Sequence, residues 1–325
     1  MKACNGRDSR MAFMGISTWI RGARLKTLPL AVAPVLIGAS LAWHDAAGHR
    51  VVVAVLCGFV ALLLQIAANF ANDYSDGIRG TDAGRSVPVK DADDSAVSGK
   101  ATPSRGPARL VASGVNPKKV LAAAGISALT ACLCGLAVIA LTGYWWFILV
   151  GIACLVAGWF YVGGKHPYGY HCLGEVFVFV FFGLVATCGT MFALSGTISA
   201  SGLLGGSAAG LVAVAVLCVN NLRDIESDRN HGKHTWMTAM GLRNGTIFTI
   251  AILIISALIA LRHLLQSSIY AANGIPLIAI IAILCAAQIA ASYAIARKTY
   301  RRALPLCSLD SLIVAAIFVL STMLA

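Results

Sequence analysis

The sequence predicts an all-α, polytopic membrane protein of about nine transmembrane helices. Three observations carry this: an apolar majority, apolar runs of bilayer-spanning length, and basic residues confined to alternate loops. Of 325 residues, 58% are hydrophobic and 12% charged, and the mean hydropathy is +0.81. A soluble domain averages about 25% charged residues, so this chain lacks the charge to cover a water-exposed surface. Its 25 Lys and Arg against 13 Asp and Glu give a net charge of +12. In a soluble protein that balance would suggest a nucleic-acid partner. Here topology explains it, and no nucleic acid is expected.

Residues 1–18 read as a polar amino-terminal tail rather than a cleavable signal, because Met1 to Arg10 is polar and Arg21, Arg24 and Lys26 directly precede the first apolar run. Residues 19–325 then form a single transmembrane domain. A spanning helix needs about 20 apolar residues, and the runs fall at 28–43, 50–72, 118–142, 143–163, 172–196, 198–220, 246–265, 270–296 and 303–325. The first is short and holds Pro29 and Pro34; the third and fourth meet at Leu141 to Tyr144. Trp145-Trp146-Phe147 reads as an interfacial aromatic belt. Phe177, Phe179, Phe181 and Phe182 in the fifth run suit helix packing or the lining of an apolar tunnel. Asp310 in the last run has no evident role.

With the amino terminus inside, all Lys and Arg except Arg50 and Arg262 fall on the inner side. Cytoplasmic loops carry such an excess, so the amino terminus is expected in the cytoplasm and the carboxyl terminus outside the cell membrane. Most of the ten cysteines sit in apolar runs, without CxxC or Cys/His metal spacing, which favours packing. His166, His171, His231 and His234 read as solvated loop residues.

Two inner segments concentrate the scarce acids. The first holds Asn69, Asn72, Asp73 and Asp76, followed by Arg79 and Asp82; the second holds Asn220, Asn221, Arg223, Asp224, Glu226, Asp228 and Arg229, followed by Lys233. Spacings of i, i+3, i+4 and i+7 put Asn69, Asn72, Asp73 and Asp76 on one face if the helix continues, and Asn220, Asn221, Asp224 and Asp228 also share one. Both clusters then lie at helix carboxyl termini, where the dipole disfavours carboxylates by roughly 0.3–1 kcal/mol each. A cation from outside the chain resolves this. Magnesium takes carboxylate oxygens and completes its shell with water and phosphates, so facing clusters fit a metal–diphosphate site, with Arg79, Arg223, Arg229 and Lys233 ready to pair with phosphate oxygens. The competing reading, polar loops that merely end helices, does not explain why the pattern occurs twice. Glu175, near the inner face, is either functional or an answer to its helix dipole.

These residues resemble the UbiA-type intramembrane prenyltransferases, which have nine transmembrane helices and two cytoplasmic aspartate-rich motifs. Asn72-Asp73-x-x-Asp76 is similar to the start of the first motif, NDxxDxxxD, although its third acid, Asp82, comes two residues late. Asp224-x-x-x-Asp228 matches the second motif, and Tyr161-Val-Gly-Gly-Lys165 a third element, YxxxK. The resemblance implies Mg2+ held by Asp73, Asp76, Asp82, Asp224 and Asp228. It gives Tyr161 a role in shielding a carbocation, and Lys165 one in binding diphosphate or an acceptor carboxylate. Asn69, Asn72, Asn221 and the four basic residues would contact substrate.

Within the family, Trp19 to Pro29, Arg109 to Gly114, Pro167 to Tyr170 and Leu173 to Glu175 look most like the branch acting on 1,4-dihydroxy-2-naphthoate. That implies transfer of a polyprenyl group from its diphosphate, with loss of CO2, to give demethylmenaquinone. Residues 83–105 depart from the pattern as a polar Gly/Pro/Ser-rich insertion, expected to be disordered. Other acceptors of the family (4-hydroxybenzoate, haem or a chlorophyll precursor) are the alternative. A secondary transporter is disfavoured, because its ionisable sites would lie near the midplane and these acids lie at the rim.

Overall fold

Helices follow from the apolar runs, since a bilayer leaves no water to satisfy backbone groups and a helix satisfies them internally. The computed structural model describes residues 16–43, 45, 50–79, 109–164, 167–266 and 274–323. Asp82, Lys165, His166 and the 83–105 segment lie outside the described residues, as does most of the amino-terminal tail.

Besides two short 3-10 helices, Leu25–Thr27 and Tyr168–Tyr170, the described residues form ten longer helices: α1 Ile16–Gly22, α2 Pro29–Leu41, α3 Arg50–Arg79, α4 Pro117–Thr142, α5 Phe147–Val162, α6 Gly174–Ser195, α7 Ala200–Asn230, α8 Trp236–Gln266, α9 Gly274–Ala296 and α10 Tyr300–Met323. Among the described residues there is no β-sheet, and a single bridge joins His171 to His234. Seven helices are long and apolar enough to cross a membrane: α3, α4 and α6 to α10. The segment before Thr27 and α2 together make an eighth candidate, bent by 49°. The bend has local causes. Arg24 adopts a left-handed backbone conformation (φ 53°), and Pro29 opens α2 where its missing N–H costs nothing.

The expected count of nine is therefore not reached by these helices. The remaining expected run, 143–163, forms α5, whose 16 residues are fewer than the ~20 of an ordinary span. Gly143, in the left-handed conformation (φ 75°), ends α4, and Tyr144 to Trp146 form the turn into α5. The chain is a multi-pass membrane protein.

α7 is the central helix, packed on α2, α6, α8 and α10. Its Ala208, Val212, Ala215 and Val219 are buried in the main core with Ile37 of α2, Leu253 of α8 and Phe318 of α10. Lipid tails are as apolar as leucine, so close backbone approach rather than hydrophobicity holds membrane helices together. The α6–α7 crossing shows this: a Cβ on Gly183 would stand 2.4 Å from the Gly206 carbonyl oxygen and 2.6 Å from the Gly210 Cα. Around the crossing, Phe179–Val185 widens to a π-helical turn, a local irregularity often found at functional sites.

α3 and α7 run on past their apolar stretches, to Arg79 and Asn230. The acidic segments are thus helical, as the side-chain spacing required. α8 begins at Trp236, ten residues before the apolar run, and kinks at Gly241 (φ 76°). Asp310, buried in α10, accepts a hydrogen bond from Gln288 Nε2 of α9 at 2.8 Å.

Candidate active site

A cavity of about 1630 Å³ is lined by α2 to α7 and the start of α10, with the chain before α2, Arg109 and the loops after α5 and α7 at its polar end. Ordinary small-molecule sites occupy about 300–1,000 Å³. One end is polar and carries Asn72 and Asp76 of α3, Arg109, Asp224 and Asp228 of α7, and Lys233. The body is apolar, walled by residues such as Val138, Ile148, Gly151, Leu155, Phe181 and Val185. Its shape is that of a site for an amphiphile.

Each acid at the polar end is matched by a cation of the chain. Arg109 Nη2 lies 3.4 Å from Asp76 Oδ2. Arg223 grips Asp224 with two bonds, Nε to Oδ1 at 2.9 Å and Nη2 to Oδ2 at 2.7 Å. Lys233 Nζ lies 3.2 Å from Asp228 Oδ2. Ion pairs at this depth offset the desolvation of both partners and leave the polar end lined by paired charges.

Tyrosines complete the rim. Tyr170 Oη donates to Asp76 Oδ1 at 3.4 Å, and its ring lies beneath the Arg79 guanidinium (5.4 Å) and the Lys233 ammonium (5.7 Å). Burial, with the Asp76 charge adding to it, pushes the Tyr170 phenol up to about 12; burial raises Tyr168 as well. The loops bearing Tyr170 and Lys233 are tied by Cys172 N to His234 O and His234 N to Tyr170 O, each 3.0 Å. From this rim an aromatic series leads into the apolar body: Tyr161 meets Tyr168 edge-on at 5.6 Å, Tyr168 stacks on Phe177 at 4.2 Å, and Phe177 on Phe181 at 5.9 Å.

Of the residues expected at the site, Asn69, Asn72, Asp76, Tyr161, Asn221, Arg223, Asp224, Asp228 and Lys233 line this one cavity. Three described residues do not. Arg79 donates to the Gly164 carbonyl at 2.9 Å and Arg229 to the Thr238 carbonyl at 3.1 Å, both exposed and outside the cavity lining. Asp73 lies behind the wall, 1% exposed, accepting from Leu110 N at 2.9 Å and Val111 N at 3.3 Å.

Asn69 reaches the Ala23 carbonyl at 3.0 Å. Asn221 donates to Glu175 Oε1 at 3.1 Å, and the Trp236 N–H reaches the same oxygen at 3.3 Å. Glu175 thus supports the site from behind. Phe177, Phe181 and Phe182 line the cavity, while Phe179 packs on Gly210. His171, His231 and His234 are exposed as expected, though His231 also borders the cavity.

Sequence reasoning missed Arg109, Tyr168 and Tyr170 as site residues, although the segments that carry them stood out. It also counted Arg21, Arg24, Lys26 and Arg301 as topology signals alone, whereas all four line the cavity.

Among the described residues, no three His, Cys, Asp or Glu side chains are grouped to enclose a metal ion on their own. The donor set is nevertheless all oxygen: carboxylates of Asp76, Asp224 and Asp228 with neighbouring Asn amides. Such donors fit a hard divalent cation that shares its shell with water and a substrate phosphate.

Residues 31–309 match the model of the UbiA prenyltransferase family. The chain is 42% identical over 226 residues to 1,4-dihydroxy-2-naphthoate octaprenyltransferase of Mycobacterium leprae, covering 69% of each chain. It is 34% identical over 270 residues to the protein of that name from Haemophilus influenzae, covering 81% of this chain and 82% of the relative. Among solved structures, an apo UbiA homolog from Aeropyrum pernix superposes with a TM-score of 0.63 at 15% identity, covering 90% of this chain and 97% of that one. A UbiA homolog from Archaeoglobus fulgidus bound to DMAPP and Mg2+ superposes at 0.57 and 14%, covering 94% and 98%. The bundle, the paired aspartate segments and the extent of these matches agree: the chain belongs to the UbiA prenyltransferase family.

Proposed function

We propose that this protein transfers a polyprenyl group from an allylic diphosphate to 1,4-dihydroxy-2-naphthoate, releasing diphosphate and CO2. The observation that carries the reading is the amphipathic cavity, whose charged end suits a diphosphate and whose apolar body suits an isoprenoid tail. The acceptor is supported by relatives at 31–42% identity that bear the naphthoate name.

In this mechanism Arg109, Arg223 and Lys233 bind the diphosphate by charge-assisted hydrogen bonds. Mg2+, when bound by Asp76, Asp224 and Asp228, supplies further neutralisation of the leaving diphosphate; Asp82 is a further candidate ligand. The allylic C–O bond breaks and its electron pair leaves with the diphosphate. Tyr161, Tyr168 and Phe177, which line the cavity, border the path of the resulting cation, which aromatic rings attract. The apolar walls exclude water that would trap it. The carboxylate-bearing ring carbon attacks the allylic carbon, and the C–CO2 bonding pair returns to the ring as CO2 departs. The immediate product is the quinol form of demethylmenaquinone.

We infer further that the protein lies in the cell membrane with its amino terminus and diphosphate end in the cytoplasm, because basic residues crowd that side. The test is a membrane assay pairing dihydroxynaphthoate or 4-hydroxybenzoate with allylic diphosphates of several lengths, with and without chelator. Prenylated naphthoquinol, CO2 release and loss of activity in chelator are expected. Prenylation of 4-hydroxybenzoate alone, or full activity in chelator, refutes the assignment.

A further inference from the structure

The first aspartate-rich segment contains two acids that face different ways. Asp76 faces the cavity, while Asp73, three residues earlier on α3, is covered by the Arg109 to Gly114 turn. Both Asp73 oxygens are engaged by that turn, Oδ2 by the Leu110 N–H at 2.9 Å and Oδ1 by the Val111 N–H at 3.3 Å. Two consecutive amides on one carboxylate form a charge-assisted clamp.

Shape reinforces the clamp at two points. One turn further along α3, a Cβ on Gly77 would stand 2.4 Å from Val111 Cβ and Cγ1, so only glycine lets the turn seat this closely. Leu110, 2% exposed, fills the space beside Phe70 and Gly22, where a Cβ on Gly22 would meet it at 2.6 Å. Arg109 immediately precedes the two clamped amides, and its guanidinium emerges into the cavity 3.4 Å from Asp76.

We propose that Asp73 is a positioning residue: it holds the 109–111 backbone so that Arg109 meets the substrate diphosphate, and it is not itself a metal ligand. Asp73 is 1% exposed and absent from the cavity lining, so a metal there would have to open the covered turn that holds both of its oxygens. The inference rests on the prenyl-diphosphate reading for its kinetic signature, but the clamp itself is measurable without turnover.

The experiment compares Asp73→Asn, Asp73→Glu, Asp76→Asn, Arg109→Gln and the Asp73→Asn/Arg109→Gln pair in native membranes and in detergent. Asp73→Asn is expected to raise KM for the prenyl diphosphate roughly 10- to 100-fold, the size of a lost hydrogen bond to a charged group. Its Mg2+ concentration for half activation stays at the wild-type value, while that of Asp76→Asn rises. The double variant is no worse than Arg109→Gln alone, because both changes remove one interaction. Asp73→Glu, which keeps the charge and displaces it by one methylene, shows a smaller KM rise and serves if Asp73→Asn folds poorly. Hydrogen exchange at the Leu110 and Val111 amides accelerates in Asp73→Asn and not in Asp76→Asn.

A raised Mg2+ requirement in either Asp73 variant, multiplying effects in the double variant, or unchanged amide exchange overturns the proposal. A wild-type protein without prenyl transfer would sink the functional reading instead, and the exchange measurement would still decide the clamp.

Discussion

Replacing Gly183 by alanine tests whether the α6–α7 crossing positions the site. The added methyl would lie 2.4 Å from the Gly206 carbonyl oxygen and 2.8 Å from the Gly210 N. Ordinary contact begins near 3.5 Å, so the helices must part by about 1 Å, and the obstructing atoms are backbone that cannot rotate away. Overpacking of this kind costs roughly 1–3 kcal/mol. The functional effect should exceed the thermal one, because α6 carries Phe177 and Phe181 along the cavity and α7 carries Asp224 and Asp228. A misplacement of about 1 Å between catalytic parts costs on the order of 100-fold in rate. The assay is kcat for prenyl transfer together with thermal unfolding in detergent. Gly58→Ala is the control, since nothing lies within 4 Å of its added Cβ; it should be neutral or stabilise by up to about 1 kcal/mol. If Gly183→Ala retains wild-type kcat and unfolding temperature, the crossing does not set the geometry, and the argument fails.

Other outcomes follow from the site and the core. Asp224→Asn and Asp228→Asn should each lower turnover by roughly 100-fold or more while the protein stays folded in the membrane, as measured by turnover at saturating Mg2+ and by gel filtration. Tyr170, raised to about 12 from an ordinary value near 10, keeps its proton longer in the folded state than in the unfolded one. Its contribution is therefore intact below pH 10 and lost as the pH rises through 12. Tyr170→Phe should reduce the fall in unfolding temperature between pH 10 and 12 and leave the profile from pH 6 to 9 unchanged. In the α9–α10 interface, Asp310→Leu alone should destabilise by about 1–3 kcal/mol by stranding the Gln288 amide. Adding Gln288→Leu should recover most of that loss, as read by thermal unfolding.

Hydropathy located the helices well because the bilayer demands a minimum apolar length, and that demand is written residue by residue. It could not give the ends of α3 and α7, whose last turns are polar and stay helical because their side chains bind one another, the cavity and neighbouring loops. The reverse happened at α5, where the turn through Tyr144 to Trp146 consumes apolar residues without extending a helix. In the site, spacing put Asp73 and Asp76 on a common face, yet the decisive fact is which neighbour covers each. For Asp73 that neighbour is Leu110, 37 residues away, and no local pattern encodes the contact. Arg109 was obscured for the same reason, as a cation far along the chain from the acid it meets. Arg223 was read only as a partner for phosphate oxygens, and its two hydrogen bonds to the adjacent Asp224 emerged in the structure. Asp310 became intelligible only when α9 brought Gln288 to it.

The brevity of α5 has a consequence for the surrounding lipid. Sixteen residues rise about 24 Å, some 6 Å less than a ~30 Å hydrocarbon core. Tilting shortens a helix's reach across the bilayer, so if α5 crosses it the mismatch must be met by thinning of the membrane beside it or by flanking aromatic residues reaching toward the headgroups. Trp145 and Trp159 lie exposed near its two ends, where amphipathic rings anchor an interface. Because α5 also forms a wall of the cavity, lipid thickness would then bear on the chamber proposed to receive the isoprenoid tail. Bilayer composition would thereby be coupled to the site through a wall shorter than an ordinary span.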